Sequence, residues 1–213
     1  MAFGNVLVDP KWLNAYARAF KDNPDAGFFG GKIIPVFEGS KPDWIEATWD
    51  ICAPVYAQRD LGDQPVQLNS DKLPYGASFA VRMDLQKKNL YDTQWGRKKE
   101  GMVGEDEVSV LRRLTEQGEF GIWVPQATLA HVIPEDRATE KYVAAYFFGQ
   151  GFTKALKGLS RQSRWSIWWQ GFWNSWAYRF HRRFSKPIVW VSRMVHSHIC
   201  YGELAGIKTL SKS

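Results

Sequence analysis

Short apolar runs that alternate with helical patterns constrain the fold of this chain more than any other feature. The strand candidates are 28–37, 75–82, 120–124 and 127–132, with Pro125 between the last two. The helix candidates are 10–20, a short segment from Met83, 105–117 and 137–147. Residues 38–72 have scattered Pro and Gly and are predicted to form loops with one short helix. This alternation predicts an α/β fold, with a mixed sheet flanked by helices.

Length and cysteine content narrow the class of protein. A chain of 213 residues can bury one good core and still carry an appendage. Its two cysteines, Cys52 and Cys200, make neither a disulfide framework nor a metal-ligand cluster, which fits a reducing compartment. The first nine residues have no basic region and no long apolar core, so they are not predicted to be a signal peptide.

The positive charge is concentrated at the C-terminal end. Residues 160–213 contain nine Lys and Arg against a single acid, Glu203, whereas residues 1–159 contain 19 basic and 21 acidic side chains. We therefore divide the chain into a folded domain over 1–159 and a basic tail over 160–213. The excess charge predicts an anionic partner for the tail alone.

The tail has an aromatic helical pattern between residues 164 and 184. The predicted membrane-contacting residues are Trp165, Trp168, Trp169, Trp173, Trp176, Arg182 and Arg183. The uncharged run 165–178 is too short to span a bilayer, and a second predicted helix, 187–205, carries charges. We expect an amphipathic helical extension lying on an anionic membrane surface. A helical pair packed on the core or on another subunit remains an alternative.

Nucleic acid is not an expected partner. Basic residues interleaved with aromatics can bind a single strand by stacking and phosphate contacts. No recognition fold for nucleic acid is visible in the sequence, and the aromatic pattern here is helical.

A pair of acids begins the helix predicted over 105–117. Glu105 and Asp106 precede an apolar face formed by Val108, Leu111 and Leu114. The helix dipole favours anionic side chains in the first turn, and an ionised carboxylate there can accept a proton from a hydroxyl. An acidic first turn also stabilises a helix without any catalytic role, so this pattern alone leaves both readings open.

Several short motifs follow one another between residues 6 and 151. They are Val6–Leu13, Phe29–Ile33, Pro74–Arg82, Trp95–Arg97, Gly104–Glu107, Pro125–Ala127, and His131 with Arg137, Tyr142 and Gly149–Gly151. In order and spacing they resemble the C-terminal half of the family two glycosyltransferases, which have the GT-A fold. The resemblance implies an incomplete GT-A-like, Rossmann-like sheet. It also implies transfer of a sugar, with inversion, from a nucleotide-sugar donor to the hydroxyl of a glycan or lipid-linked acceptor, as in polysaccharide biosynthesis.

The resemblance assigns roles to individual residues. Asp106 matches the general base, and His131 matches a ligand of a divalent ion (Mg²⁺ or Mn²⁺), although a lone histidine is more often structural. The substrate-binding candidates are Glu105, Gly76, Ala77, Ser78, Arg97 and Arg137. The Gly76–Ser78 turn would let backbone approach the donor sugar, or it is only a tight entry to a strand. Arg137 would pair with diphosphate, or it caps the following helix.

The chain departs from the family pattern at its beginning. The nucleotide-binding half should precede Val6 and end in an Asp-x-Asp motif, but Phe3, Gly4 and Asn5 occupy those positions. We therefore expect a fragment that is inactive or weak by itself, attached peripherally to the cytoplasmic face of a membrane. The alternative is a non-catalytic membrane-binding or partner-binding module on the same scaffold.

Overall fold

The computed structural model describes residues 5–91 and 106–211, and only the backbone of Asp106 and Glu107. The described residues form two compact units. The first comprises 5–38, 56–91 and 106–133, and the second comprises 39–55 and 134–211.

The first unit is built on a mixed sheet. Its strands are β1 (Val6–Val8), β2 (Phe28–Phe37), β3 (Gln67–Leu68), β4 (Phe79–Val81) and β5 (Gly121–Ile133). The order is β1-β5-β2-β4, and β3 also pairs with β5. The central pair β2–β5 is parallel, and the remaining pairs are antiparallel. Three helices belong to this unit: α1 (Trp12–Asp22), α4 (Met83–Lys88) and α5 (Asp106–Glu116).

The sheet is covered on both faces. Successive side chains of a strand point to opposite faces. Phe28 and Trp123 accordingly join one core with Leu111 and Leu114 of α5. Their neighbours Phe29 and Val124 join another core with Tyr16 and Ala19 of α1. The first four residues of β2 are all buried, as expected for a strand segment covered on both faces, and the predicted strand over 28–37 coincides with β2.

The second unit is mainly helical. Its long helices are α6 (Glu140–Leu156), α7 (Arg164–Phe184) and α8 (Pro187–Leu210), and two short helices, α2 (Asp43–Glu46) and α3 (Trp49–Cys52), precede them in the chain. Helix α8 packs against both α6 and α7. The side chain of Glu203 on α8 is buried and accepts a hydrogen bond from Lys154 on α6 at 2.9 Å.

The predicted α/β class is confirmed: a mixed sheet flanked by helices, consistent with an incomplete Rossmann-like fold. Some element predictions were wrong. Residues 38–72 contain two short helices and strand β3 rather than one helix, and α6 and α8 extend to Leu156 and Leu210.

Strand β5 also runs through Pro125, where we predicted a break. Its register with β2 shifts between Gly31 and Ile33. Residues 125–128 therefore lie in an irregularity where Pro125 does not have to donate a ladder hydrogen bond.

Candidate functional site

Strand β5 places His131 between two neighbouring strands. The antiparallel register sets Val6 of β1 opposite His131, and the parallel register sets Pro35 of β2 opposite it on the other side. The amide of Val132 donates to the carbonyl of Asn5 at 2.7 Å. The position where the family resemblance expects metal-binding carboxylates, just before Val6, therefore adjoins the strand that carries His131.

The ring of His131 is held in one tautomer. Its Nδ1 lies 3.0 Å from the backbone carbonyl oxygen of Tyr56. A carbonyl oxygen can only accept, so Nδ1 carries the hydrogen, and in the neutral ring Nε2 is the nitrogen with the lone pair. A neutral imidazole fixed in this way is the usual form of a histidine metal ligand. The side chain is half-buried, and its orientation is set by a backbone group distant in sequence.

The described residues do not assemble a complete metal site. Within residues 5–91 and 106–211, no group of three or more His, Cys, Asp or Glu side chains is placed to hold an ion. A divalent cation needs several oxygen or nitrogen ligands, and His131 supplies one. The predicted Mg²⁺ or Mn²⁺ ion therefore stays a prediction, and no chemical step below passes through it.

Helix α5 fixes the position of the predicted base. It begins at Asp106, and Leu111 and Leu114 are fully buried against Trp123, as the apolar spacing predicted. This packing determines where the first turn of α5 lies. The side chains of Asp106 and Glu107, and the whole of Glu105 and Arg97, lie outside the described residues, so their roles stay predictions.

The predicted turn at Gly76–Ser78 is present. The amide of Ser78 donates to the carbonyl of Tyr75 at 3.0 Å, and β4 begins at the next residue. Ser78 itself is 0% exposed, and its hydroxyl lies 3.1 Å from the Tyr16 hydroxyl and 3.4 Å from Trp12 Nε1. Burial raises the pKa of the Tyr16 phenol, so this hydrogen-bonded group stays neutral.

Ser78 and its neighbours tie α1 to the sheet. The amide of Gly31 donates to the Ser78 carbonyl, and a Cβ added at Gly31 would lie 2.5 Å from Ser78 Oγ and 2.7 Å from the Tyr16 hydroxyl. Ser78 therefore has a visible structural function. Gly76 and Ala77 are half-buried, and contact of this turn with a substrate stays a prediction.

Arg137 belongs to the second unit. It ends a short 3₁₀ turn, Glu135–Arg137, and its guanidinium carbon lies 5.8 Å from the centre of the Tyr142 ring in the first turn of α6. The contact resembles the structural alternative that we gave for this residue, in which it stabilises the start of the following helix. The structure does not test its pairing with diphosphate.

The predicted aromatic helix is present as α7, and its aromatic residues form an exposed stripe. We call this set the aromatic stripe: Trp165, Trp168, Trp169, Phe172, Trp173, Trp176, Phe180 and Phe184. Its five tryptophans are 41–65% exposed, and neighbouring rings contact each other along the helix. Only Ile167 and Gly171 of α7 are buried. Among the described residues, no helix is both long enough and apolar enough to cross a membrane.

One ion pair on α7 was not predicted. Arg182 donates to both carboxylate oxygens of Glu140 on α6 at 2.6–3.0 Å, and the Tyr178 hydroxyl donates to Glu140 at 2.6 Å. Burial opposes the charge on Glu140, but the hydrogen bonds from Arg182 and Tyr178 outweigh it and lower the pKa of the carboxyl. Burial, together with the bond to Glu140, raises the pKa of Tyr178 to about 12. No local pattern could indicate this contact, because its partners are far apart in sequence.

Comparison with known proteins relates the chain to an enzyme. It is 28% identical over 159 residues to a glucosyl-dolichyl phosphate glucuronosyltransferase of Haloferax volcanii, a match that covers 73% of this chain and 49% of that protein. The chain thus spans about half the length of this relative. No family model and no solved structure matches it significantly. The similarity supports a relationship between this chain and a glycosyltransferase.

Proposed function

We propose that this chain is the acceptor-side part of an inverting GT-A glycosyltransferase that transfers a sugar from a nucleotide-sugar donor to a lipid-linked acceptor. The observation that carries the proposal is the similarity to the Haloferax volcanii enzyme, whose name gives glucosyl-dolichyl phosphate as its acceptor. The placement of His131 beside the position just before Val6 supports it, because the family resemblance expects the donor diphosphate there.

The catalytic role that we assign to this chain is to accept the proton of the attacking hydroxyl group. An acceptor hydroxyl oxygen would attack the anomeric carbon of the donor sugar from the side opposite the diphosphate. The bond between that carbon and the diphosphate oxygen breaks, and its electron pair leaves with the nucleoside diphosphate. The hydroxyl proton passes to the carboxylate of Asp106, at the start of α5. The positive end of the helix dipole favours the ionised carboxylate that this step requires.

The exposed edge of the sheet supports pairing of this chain with a donor-side partner. In the described residues β1 is an edge strand, and its Leu7 and Val8 are 66% and 55% exposed. Exposed apolar residues on a free edge favour pairing with further strands. We therefore propose that the isolated chain turns over slowly or not at all. The assignment of residues 1–159 to catalysis and 160–213 to attachment is part of this proposal.

A chimaera tests the catalytic assignment. We would join the segment of the Haloferax volcanii enzyme that this chain does not match to the present chain, and assay glucuronosyl transfer to glucosyl-dolichyl phosphate. We expect transfer by the chimaera, a loss of at least about 100-fold with Asp106→Asn, and nearly full activity with the control Asp84→Asn on α4. A folded chimaera whose activity survives Asp106→Asn would refute the assignment. Because a chimaera can misfold, its circular dichroism and thermal unfolding are recorded first.

A second measurement uses the chain alone. Calorimetric titration with uridine and guanosine diphosphates in the presence of Mn²⁺ should give heat if a donor site is retained. If the folded chain binds neither nucleotide and the chimaera is also inactive, the non-catalytic alternative is favoured. The aromatic stripe gives that alternative its basis, because exposed rings suit a binding role that needs no catalysis.

We further propose that α7 attaches the chain peripherally to the cytoplasmic face of a membrane. The aromatic stripe runs from residue 165 to 184, about 29 Å of helix. Helix α7 contains Arg164, Arg179, Arg182 and Arg183 and no Asp or Glu. Aromatic rings suit the region between lipid headgroups and acyl chains, and the arginines suit anionic headgroups.

Vesicle flotation tests this attachment. We expect flotation with vesicles that contain phosphatidylglycerol and little with pure phosphatidylcholine. Burying the exposed part of one tryptophan contributes roughly 2 kcal/mol, so Trp169→Glu should weaken binding at least about 30-fold. The control is Leu13→Glu, which adds the same charge at an exposed apolar position on α1. If the protein stays unbound with every lipid, the attachment is wrong.

A further inference from the structure

A groove lies between the start of α7 and the end of α8. Its volume is about 470 Å³, and it is lined by Arg164, Trp165 and Trp168 from α7 and by Leu204, Ala205 and Lys208 from α8. All six residues belong to the second unit. The groove thus combines two cations with an apolar wall.

Both cations are available to a ligand. Arg164 and Lys208 are exposed, and within the described part of the chain neither side chain has a hydrogen-bond or ion-pair partner. Two other basic residues of this unit are engaged in ion pairs: Arg182 with Glu140, and Lys154 with Glu203. Glu203 is the single acidic side chain of the tail and is 3% exposed, so no acidic side chain in the described part of the tail competes for the groove.

The apolar wall is continuous with the aromatic stripe. Trp165 and Trp168 line the groove and also begin the stripe, and their rings are stacked with centres 5.5 Å apart. A small anion would use only the cations and leave these indoles in water. An amphiphile with an anionic headgroup and an acyl chain would use both the cations and the indoles. The combination therefore favours a lipid over a free anion.

We propose that the groove between α7 and α8 binds the phosphate headgroup of an anionic membrane lipid. Arg164 and Lys208 donate to the phosphate oxygens, and Trp165 and Trp168 lie against the first acyl carbons. This proposal rests on the membrane attachment proposed above and adds a defined lipid site to it. A headgroup held at one end of α7 would fix how the helix is oriented on the membrane surface.

The direct test uses a lipid that does not form a membrane. Dihexanoyl phosphatidylglycerol, below its aggregation concentration, is titrated calorimetrically into the full chain. The groove variant is Arg164→Gln with Lys208→Gln, and the control variant is Lys141→Gln with Lys186→Gln, which removes the same charge from exposed positions of the same unit. We expect the groove variant to bind at least about tenfold more weakly and the control variant to stay within about twofold. Equal affinities of the groove variant and the native chain would overturn the proposal.

Two further ligands identify what the groove recognises. Dihexanoyl phosphatidylcholine has the same chains and phosphate with a compensating positive charge, and we expect it to bind at least about tenfold more weakly. Inorganic phosphate has no chain, and we expect no measurable heat at matched concentrations. If inorganic phosphate binds as tightly as the lipid, the groove is an anion site and the lipid proposal is wrong.

Vesicle flotation separates this proposal from the attachment itself. Trp173→Glu lies in the aromatic stripe outside the groove, and it should abolish flotation while leaving the short-chain lipid affinity unchanged. If native protein floats but the groove and control variants lose binding equally, the attachment stands and the groove proposal is overturned. If native protein binds the short-chain lipid but never floats, the groove stands and the attachment fails.

Discussion

Helices α6 and α8 approach each other through glycine, and this contact gives the sharpest stability prediction. A Cβ added at Gly202 would lie 2.8 Å from the carbonyl carbon of Phe148 and closer still to its oxygen. At Gly151, an added Cβ would meet the carbonyl group of Ile199 in the same way. The atoms in steric conflict with the added Cβ belong to the backbone, so they cannot move away by a change of rotamer as a flexible side chain can.

The cost of Gly202→Ala follows from the required separation. The helices would have to move apart by roughly 1.5 Å to restore ordinary contact, and such a gap forfeits at least about half of the dispersion energy across the interface. Overpacking of this kind costs about 1–3 kcal/mol or more, and alanine regains about 1 kcal/mol of helix propensity. Because the obstacle is backbone, we expect an overpacking cost of about 4 kcal/mol, above the usual range, and therefore a net loss of about 3 kcal/mol. That corresponds to a fall in Tm of about 6–12 °C for a chain of this size.

Gly171→Ala is the matched control. Gly171 lies in helix α7, and an added Cβ would be 3.1 Å from Cys200 Cβ and 3.2 Å from the Tyr201 ring, which are side-chain atoms that can shift slightly. We expect its stability to stay within about 1 kcal/mol of the native protein. Urea unfolding followed by the helical circular dichroism signal gives both values. If Gly202→Ala is as stable as Gly171→Ala, the reasoning from the glycine contact is wrong.

Three further measurements test other parts of the structure. Ser78→Ala removes the hydroxyl shared with Tyr16 and Trp12 and should lower the free energy of unfolding by about 1–2 kcal/mol, whereas the exposed control Ser70→Ala should change it little. Leu111→Ala leaves a cavity at a fully buried position on α5 and should lower the free energy of unfolding by about 2–5 kcal/mol. A smaller loss of stability would argue against this packing. The lowered pKa of Glu140 contributes stability that is complete above the ordinary carboxyl pKa and is lost as pH falls through the folded value. The Glu140→Gln variant should therefore be less stable than the native protein at neutral pH and should lose less stability on acidification. Parallel profiles of unfolding free energy against pH for the variant and the native protein would contradict this.

Elements with strong local signals could be predicted from the sequence. The ten-residue segment Phe28–Phe37, in which Lys32 is the one charged residue, forms β2 with those bounds, and the aromatic periodicity between residues 164 and 184 forms α7. The apolar spacing of Leu111 and Leu114 identified the buried face of α5. These signals are local because burial of a strand or a helix face requires a fixed repeat of apolar residues.

The path of β5 could not be predicted, because it depends on its neighbours. A proline in a strand pattern ordinarily indicates a break. Here the ladder with β2 continues on both sides of Pro125, because the register shift leaves residues 125–128 without register partners on β2. The pairing partner lies about ninety residues earlier in the chain, and no local pattern around Pro125 carries that information.

By itself, the sequence determined the α/β class, the principal helices and strands, the basic aromatic tail and the candidate catalytic aspartate at the start of α5. Tertiary structure alone decided the tautomer of His131, the burial of Ser78, the ion pair between Glu140 and Arg182, and the meeting of Arg164 with Lys208 at one groove. The physical reason is the separation along the chain of the residues that interact. Helix and strand patterns repeat over a few residues, whereas these contacts join side chains whose separation along the chain is closed only by folding.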